Sequence, residues 1–498
     1  MQLLKKIPFF LFLLALFFCL NGGVDNFGFV TAGELLVLGL KIAATTGIAY
    51  ALVYLCYRRY LAAALIVFFI GCWYLFFGAL HDVIKSTAWL SFIKSYSVLV
   101  PLLIVLSILF IIWVVKQPQY WQRLTFYLNI LLLLYCVVDM VRLVSKAASA
   151  PAQNKYAGIK MDTSAVKQKP NVYLIVLDEY AGRKSLQDSF YFGNDSFYNA
   201  LVRMGFTTMP ATANYNFTNF SMASLLNMGY IGRRDNSKDI SQHDFMARLD
   251  EIRSARVFSI FREMGYAVHN FSIFDVDNMP AINSGSGDQL LLRHTILLTD
   301  KILHNRADRD IGWAIPAGIK KWLPFFKDRS FFDQQQDNNK ALEATRAFAR
   351  KPAATPAFSY THLLLPHWPY YADSTGKPHP ESLVLPAASW SDKSLYLGYL
   401  KYANGLISQL LADMVKNDPA AIILLLSDHG FRNYNDTHRY QPLQFDALCA
   451  VRMPGIQPTP FNRSHVNLFP WLFNNAFGQN LPFLKDSSVA LVDDEPFK

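Results

Sequence analysis

The first 146 residues are dominated by long apolar stretches, whereas the rest of the chain alternates short apolar runs with amphipathic segments. The five stretches are Ile7–Leu20, Leu35–Cys56, Tyr60–Leu80, Ser97–Val115 and Leu124–Val144. A bilayer core of about 30 Å is crossed by about 20 helical residues, so four of the stretches are long enough to span it. The first is shorter, and we interpret it as an uncleaved helix because no small-x-small cleavage site follows it. The pattern predicts a five-helix transmembrane domain over residues 1–146.

Basic residues flank alternate ends of these stretches and predict their orientation. Lys5 and Lys6, Arg58 and Arg59, and Lys116 and Arg123 would all lie on the cytoplasmic side under the positive-inside rule. With five crossings, everything after Val144 is then expected outside the cytoplasm.

Residues 147–170 lack hydrophobic periodicity and are rich in Ala, Ser, Lys and Pro, which is typical of a juxtamembrane linker. From residue 171 to 498, strand-like and helix-like segments alternate, the pattern of an α/β domain with a mostly parallel central sheet. The predicted strands include Val172–Leu177, Tyr266–Phe274, Ala357–Leu365, Ala421–Leu426 and Ala447–Val451. The predicted helices include Ser196–Met204, Leu249–Met264, Gln334–Arg350, Lys393–Val415 and Val466–Phe477. Residues 278–330 do not follow the alternation, and we expect them to form an excursion toward the membrane.

Three of the apolar strands are followed by Asp, Glu or His, which are residue types that commonly bind metals. Val172–Leu177 is followed by Asp178 and Glu179, Ala421–Leu426 by Ser427-Asp428-His429-Gly430, and Ala357–Leu365 by a proline and His367. Open α/β sheets hold their ligands at the carboxyl ends of the strands. Carboxylate and imidazole groups delivered to one edge from distant segments predict a single metal site.

A nucleophile is expected beside that metal, and the stretch Asn214–Asn227 offers one. Thr218 precedes apolar residues at helical spacing, which places it near a helix N-terminus. The backbone N–H groups and the helix dipole at that position stabilise an anion, and a hydroxyl there can be activated by a metal. The same residue type is also common as an ordinary helix N-cap, so both interpretations are open.

Composition narrows the possible partners. Residues 1–150 contain eleven Lys and Arg but four Asp and Glu, which accounts for +7 of the chain's net charge of +10. This excess lies beside the predicted membrane spans, so the basic balance does not predict nucleic-acid binding. Of five cysteines, only Cys449 lies outside the apolar stretches, which rules out a disulfide framework in the outer domain.

The motifs together resemble a known superfamily. The segment LDE after the first strand, a threonine at a helix start, HLLLPHWPY and LLLSDHG are similar to motifs of the alkaline phosphatase/sulfatase superfamily. With its N-terminal spans, the chain most resembles the phosphoethanolamine transferases and the lipoteichoic acid (phosphoglycerol) synthases. The resemblance implies an α-helical transmembrane bundle followed by an α/β alkaline-phosphatase/sulfatase-like domain.

The resemblance also assigns roles to particular residues. It implies that Asp428 and His429 are metal ligands and that Thr218 is both nucleophile and ligand, with Ser221 matching the serine that follows the nucleophile. Asp178 and Glu179 each match an acidic ligand of different relatives, and we favour Asp178 because consecutive strand residues point to opposite faces. His367 is expected to contact the phosphoryl group or a second metal, while His362 and His438 are weaker candidates for substrate or second-metal contacts. Arg183, Arg432 and Arg439 flank the motifs and could hold phosphate, but we expect them to be solvated surface residues.

The implied activity is a metal-dependent transfer of phosphoethanolamine or phosphoglycerol from a phospholipid to an envelope glycan or lipid, such as lipopolysaccharide, through a phosphothreonine. The expected cofactor is Zn²⁺, with Mn²⁺ as the alternative. No CxPxR or SxPxR motif, which sulfatases oxidise to formylglycine, occurs in the sequence. The expected location is the bacterial inner membrane, with a periplasmic or extracellular catalytic domain and no nucleic-acid partner. The alternatives are a membrane-anchored phosphatase or phosphodiesterase of the same fold, and a non-catalytic sulfatase-like envelope protein.

Overall fold

The chain forms two compact units. The computed structural model describes residues 2–27, 30–149, 158–231, 240, 242–282, 296–311, 333–350, 355–384, 387–434 and 441–492. The first unit comprises residues 1–152 and 285–329, and the second comprises residues 153–284 and 330–497. The predicted division of the chain at residues 146 and 170 stays a prediction.

The first unit begins with seven described helices that cover all five apolar stretches. They are α1 (Gln2–Lys6), α2 (Phe10–Asp25), α3 (Ala32–Tyr57), α4 (Tyr60–Leu75), α5 (Phe77–Ser86), α6 (Tyr96–Lys116) and α7 (Trp121–Ser149). Among the described residues, three helices are long and apolar enough to cross a membrane, namely α3, α6 and the span Pro118–Ala148 that contains α7. A fourth span results if α4 and α5, which are bent by 55° at Phe76, count as one. At 16 residues, α2 is shorter than a full crossing needs, so length and composition support three or four spans where five were expected.

The second unit is built on a six-stranded sheet. In chain order the strands are β1 (Val172–Leu177), β2 (Thr207–Thr208), β3 (Ala211–Thr212), β4 (Ala267–Phe271), β5 (Ala357–Leu363), β6 (Ile422–Ser427), β7 (Asp446–Ala447), β8 (Cys449–Arg452) and β9 (Arg463–Ser464). The large sheet has the order β2-β8-β6-β1-β5-β4, and β3 lies between β7 and β9 in a small second sheet. The four strands β6, β1, β5 and β4 are parallel, whereas β8 and β2 pair antiparallel at one edge. The predicted α/β fold with a mostly parallel central sheet is confirmed.

Helices cover both faces of this sheet. In chain order the remaining helices are α8 (Arg183–Phe190), α9 (Asp195–Arg203), α10 (Thr218–Asn227), α11 (Gln242–Arg253), α12 (Arg256–Glu263), α13 (Ile296–Thr299), α14 (Leu303–Ile311), α15 (Asp333–Arg350), α16 (Glu381–Val384), α17 (Lys393–Asn417) and α18 (Leu468–Ala476). Val172, Leu174 and Val176 of β1 pack in one core with α10, α12 and α18. Tyr173, Ile175 and Leu177 of the same strand pack in a second core with α8, α9, α15 and α17. Because β1 and β6 are buried on both faces, their sequences are apolar without alternation as far as Leu177 and Leu426.

Helices α13 and α14 belong to the first unit although they are inserted between β4 and β5. Lys301, just after α13, forms an ion pair with Asp25 at 2.8 Å. Arg306 of α14 is buried, and its guanidinium contacts the carboxylates of Asp82 and Asp310. These ion pairs join the described part of the excursion to α2 and α5.

One predicted helix is two helices in the structure. Residues 249–264 were expected to form a single helix, but α11 ends at Arg253 and α12 begins at Arg256. Ala255 is extended, and the N–H of Arg256 donates to the side-chain oxygen of Asn227 at 3.0 Å. In a continuous helix the N–H of Arg256 would donate to a carbonyl one turn earlier, and here it donates to Asn227 instead.

A partly buried carboxylate of β7 makes the stability of this unit depend on pH. Asp446 accepts the N–H of Ser185 at 2.6 Å at the start of α8 and faces Lys184 and Asp188, and burial raises its pKa to about 6. Since the folded pKa lies above the ordinary value of 3.8, the stability contributed by Asp446 is complete below pH 4 and is lost as the pH rises through 6. At about 1.4 kcal/mol for each unit of pKa shift, we expect a loss on the order of 2–3 kcal/mol.

We expect Asp446→Asn to remove this loss. The free energy of unfolding of the full-length wild type and of the variant is measured by denaturant titration in detergent at pH 4.5 and at pH 7.5. If the free energy of unfolding changed with pH in the same way in both proteins, the ionisation of Asp446 would not destabilise the folded state.

Candidate metal centre

The register of the central strands brings two carboxylates side by side. Leu177, the last residue of β1, pairs with Ser427, the last residue of β6, and with Leu363 of β5. Asp178 and Asp428 are the next residues of their chains, so both leave the sheet at the same edge. On the other side of β1, His362 pairs with Val176, whose side chain lies on the same face as Asp178.

These three residues form a cluster that fits a metal ion. One ligand atom from each of Asp178, His362 and Asp428 lies within 4.8 Å of the others, and all three side chains are buried. Within the described part of the chain, Asp178 Oδ1, Asp428 Oδ2 and His362 Nε2 have no hydrogen-bond partner. Leaving buried polar atoms unsatisfied is costly, and a bound divalent cation would satisfy all three. The residues present therefore fit the predicted metal.

Hydrogen bonds fix the orientation of these ligands. The Oδ1 atom of Asp428 accepts the N–H groups of Glu179 at 2.9 Å and of His429 at 2.8 Å, which leaves Oδ2 directed at the cluster. The Nδ1 atom of His429 lies 2.8 Å from the carbonyl of Gly430, so Nδ1 carries the proton and Nε2 is free to accept or to bind a metal. The Nδ1 atom of His362 lies 2.9 Å from the Tyr360 hydroxyl, which orients its ring in the same way.

Thr218 lies at the cluster and begins helix α10. Its Oγ1 is 3.4 Å from Asp178 Oδ2 and 3.4 Å from His429 Nε2. As the first residue of α10, it also lies where unpaired backbone N–H groups and the helix dipole favour negative charge. Ser221, one turn along the same helix, donates to the carbonyl of Asp428 at 2.5 Å and so ties α10 to the end of β6.

The segment that leads into Thr218 is held by the C-terminal part of the chain. Asn214 accepts the N–H of Val466 at 2.7 Å, and Asn216 accepts the N–H of Leu491 at 2.8 Å. On the opposite side, a side chain at Gly430 would place its Cβ 2.4 Å from the carbonyl oxygen of Asp446, so only glycine permits this approach. The segment that precedes Thr218 and the segment around Gly430 are therefore both held in place by contacts with distant parts of the chain.

Glu179 points away from the cluster. Its Oε1 accepts the backbone N–H of Arg432 at 3.1 Å, and its backbone has a positive φ of 61°, which turns its N–H toward Asp428. The structure thus brings Asp178 but not Glu179 among the clustered ligand atoms, and the assignment of Asp178 as the ligand remains a prediction. Burial would raise the pKa of Asp178, but the fields of the nearby imidazoles of His367, His362 and His429 outweigh it and lower that pKa below its usual range.

The remaining candidates lie outside the cluster of ligand atoms or outside the described residues. His367 is partly buried, its Nδ1 contacts the carbonyl of Trp368, and its field acts on Asp178. His438 lies outside the described residues, so its predicted role stays a prediction. Arg183 is half exposed at the start of α8, where it contacts Tyr198 and Asp195.

Sequence reasoning gave His362 only a minor role and gave His465 none. His362 is the last residue but one of β5, and only the pairing of β5 with β1 shows that it reaches Asp178. His465 is fully buried beside His429, and burial lowers the pKa of His465 to about 4, so this imidazole is neutral. His362 opens the HLLLPHWPY motif, but that motif does not show how close the residue lies to Asp428, and His465 belongs to none of the motifs named above.

The solved structures that resemble this chain do so at low sequence identity. A search of curated proteins found no match. The periplasmic domain of EcEptC from Escherichia coli is 10% identical, covering 63% of this chain and 83% of its own, with a TM-score of 0.37. The phosphonate monoester hydrolase SpPMH from Silicibacter pomeroyi is 14% identical, covering 66% of this chain and 76% of its own, with a TM-score of 0.40.

The decisive comparison is with a family model. The sulfatase model matches residues 189–450, a range that includes Thr218, His362, Asp428 and most of the sheet. This confirms the predicted resemblance to the alkaline phosphatase/sulfatase superfamily. Because the match covers more than half of its length, the chain belongs to the sulfatase family.

Proposed function

We propose that this chain is a metal-dependent membrane transferase that moves a phosphoryl head group from a phospholipid to a hydroxyl of an envelope glycan or lipid. The observation that supports this most is the position of the Thr218 hydroxyl, 3.4 Å from both Asp178 and His429 at the start of a helix. A threonine nucleophile suits phosphoryl transfer, whereas sulfate-ester hydrolysis in this family needs the cysteine or serine motif that the sequence lacks.

In the first step, Thr218 Oγ1 attacks the phosphorus of the donor phospholipid. Its hydroxyl proton passes to a neighbouring acceptor, for which Asp178 Oδ2 is in place at 3.4 Å. The bond between phosphorus and the diacylglycerol oxygen breaks. That oxygen takes a proton, and we assign His367 as the donor of this proton. The products are diacylglycerol and a phosphothreonine that carries the head group.

In the second step, a hydroxyl of the acceptor attacks the same phosphorus and gives its proton to His367. The bond to Thr218 breaks, and the threonine oxygen recovers its proton. The N–H groups at the start of α10 stabilise the negative charge in both steps. A divalent metal held by Asp178, His362, Asp428 and His429, with Thr218 beside it, would lower the pKa of the threonine hydroxyl and polarise the phosphoryl oxygens.

Zn²⁺ is the metal that we propose, because the clustered donors combine carboxylate and imidazole, and Mn²⁺ is the alternative. The apolar helices of the first unit support the choice of donor, since an enzyme with a lipid substrate must meet it at a bilayer. We propose the inner membrane of a bacterium as the location, with the second unit on the periplasmic or extracellular side. Phosphoethanolamine and phosphoglycerol are the proposed head groups.

A reconstituted system tests this proposal. Full-length protein in proteoliposomes is supplied with phosphatidylethanolamine or phosphatidylglycerol carrying a labelled head group, together with Zn²⁺ and lipid A or an envelope glycan. We expect diacylglycerol to form and the label to appear on the acceptor in equal amounts, as measured by thin-layer chromatography and mass spectrometry.

Other outcomes separate the alternatives. Release of free head group at the same rate with and without acceptor would identify a phosphodiesterase that uses water. Absence of diacylglycerol with either donor, although the protein is folded and holds its metal, would contradict the proposal and favour a non-catalytic protein.

A further inference from the structure

Arg432 contacts two of the segments that build the candidate metal centre and belongs to a third. Its guanidinium carbon lies 4.7 Å from the centre of the Phe217 ring, and its Nη1 donates to the carbonyl of Asn216 at 3.3 Å. Its backbone N–H donates to Glu179, the residue after Asp178. The arginine itself follows His429 by three residues. It is therefore anchored both to the segment that precedes Thr218 and to the two strand ends that carry the carboxylates.

The guanidinium retains most of its hydrogen-bonding capacity. Arg432 is partly exposed, and among the described residues the bond to Asn216 is the only hydrogen bond of its side chain. A guanidinium has five N–H donors. Stacking on Phe217 limits the rotamers of this long side chain while leaving the edge of its planar group available, so little conformational entropy is lost when an anion binds.

The charge of the centre requires such a cation. Asp178 and Asp428 are both buried, and their two carboxylates already balance the charge of one divalent metal ion. A phosphoryl group that approaches Thr218 adds further negative charge. The N-terminus of α10 supplies only about half a unit of positive charge. A guanidinium next to that terminus compensates the remainder, and its fork of donors matches phosphoryl oxygens.

From these contacts we propose that Arg432 binds the phosphoryl oxygens of the donor phosphodiester and of the phosphothreonine, rather than serving as a solvated surface residue. This inference rests on the proposed function, because it assigns a ligand to the same centre. The ligand class is a phosphodiester or phosphomonoester anion. A purely structural role, in which Arg432 only clamps Asn216 and Phe217, makes different predictions.

The test compares four full-length proteins in detergent with Zn²⁺ present: the wild type, Arg432→Ala, Arg432→Lys and Arg463→Ala. Arg463 is a matched control, because its guanidinium also stacks on a phenylalanine, Phe483 at 4.3 Å, in the same unit. Bis(p-nitrophenyl) phosphate is the substrate, inorganic phosphate is the competing anion, and thermal unfolding reports stability.

We expect Arg432→Ala to lower kcat/KM and to weaken inhibition by phosphate, each by about 10- to 100-fold, which is the factor that a hydrogen bond to a charged group provides. Arg432→Lys is expected to retain part of both, because it keeps the charge but loses the fork. Guanidinium chloride at non-denaturing concentration should restore part of the activity of Arg432→Ala and have no such effect on the other proteins. Arg463→Ala should match the wild type.

Two results would overturn the inference. One is unchanged inhibition by phosphate in Arg432→Ala. The other is a loss of activity that neither lysine nor added guanidinium restores and that accompanies a lowered unfolding temperature, as a structural clamp would give. If instead the wild type neither cleaves the phosphodiester nor binds phosphate, the proposed function itself fails.

Discussion

Thr218→Ala is expected to abolish transfer, lowering kcat by a factor on the order of 10³ to 10⁶, as the loss of a covalent nucleophile does in other enzymes. The physical reason is that Thr218 Oγ1 is the hydroxyl that the structure holds between Asp178 and His429 at a helix N-terminus. Activity is measured as diacylglycerol released from labelled phospholipid. Intact-mass spectrometry of wild type quenched in acid should show the mass of the transferred head group on the protein, and the variant should not acquire it.

Thr218→Ser is the control for this experiment, because it keeps a hydroxyl on the same Cβ and removes only a methyl group. We expect it to retain measurable activity and the covalent adduct. The metal content of Thr218→Ala should stay close to that of the wild type, since the clustered ligand atoms of Asp178, His362 and Asp428 are unchanged. An active Thr218→Ala variant, or an adduct mapped to another residue, would refute the role of this threonine.

Asp428→Asn is expected to weaken metal binding by more than the roughly 10- to 100-fold that changes outside the ligands cost, with a matching loss of activity. The asparagine can still accept the N–H groups of Glu179 and His429, so the loop keeps its hydrogen bonds while the charged Oδ2 is lost. Metal content per chain is measured by mass spectrometry after dialysis. Chelation of the wild type should likewise remove activity, and Zn²⁺ or Mn²⁺ should restore it.

Asp446→Asn is the matched control for this second experiment. Asp446 is also a largely buried aspartate of the same unit, but it contacts the start of α8 and is absent from the ligand cluster. We expect that variant to keep its metal and most of its activity at pH 7.5. Full metal content in Asp428→Asn would mean that the ion binds elsewhere.

The sequence by itself predicted the parts of the fold that depend on local pattern. Strand β1, and strand β6 as far as its final Ser427, are apolar because each is buried on both faces, and β1 occurs at the predicted residues. The helices of the five apolar stretches could also be predicted, because the length and hydropathy of each segment can be read from its own sequence. The pair Asp428-His429 and the helix that begins at Thr218 were also predicted, because both follow directly from an adjacent element.

Features that depend on how distant segments meet were decided only by the tertiary structure. Asp178 and Glu179 are equally placed in sequence, but the positive φ of Glu179 and its bond to the Arg432 N–H direct the glutamate away from the cluster. His362 joins the cluster because β5 pairs with β1 in a register that no local pattern encodes. The break between α11 and α12 follows from a hydrogen bond to Asn227. The order of apolar and polar residues in the sequence shows which side chains lie on the same face of an element. Which faces come into contact depends on strand register and on long-range hydrogen bonds.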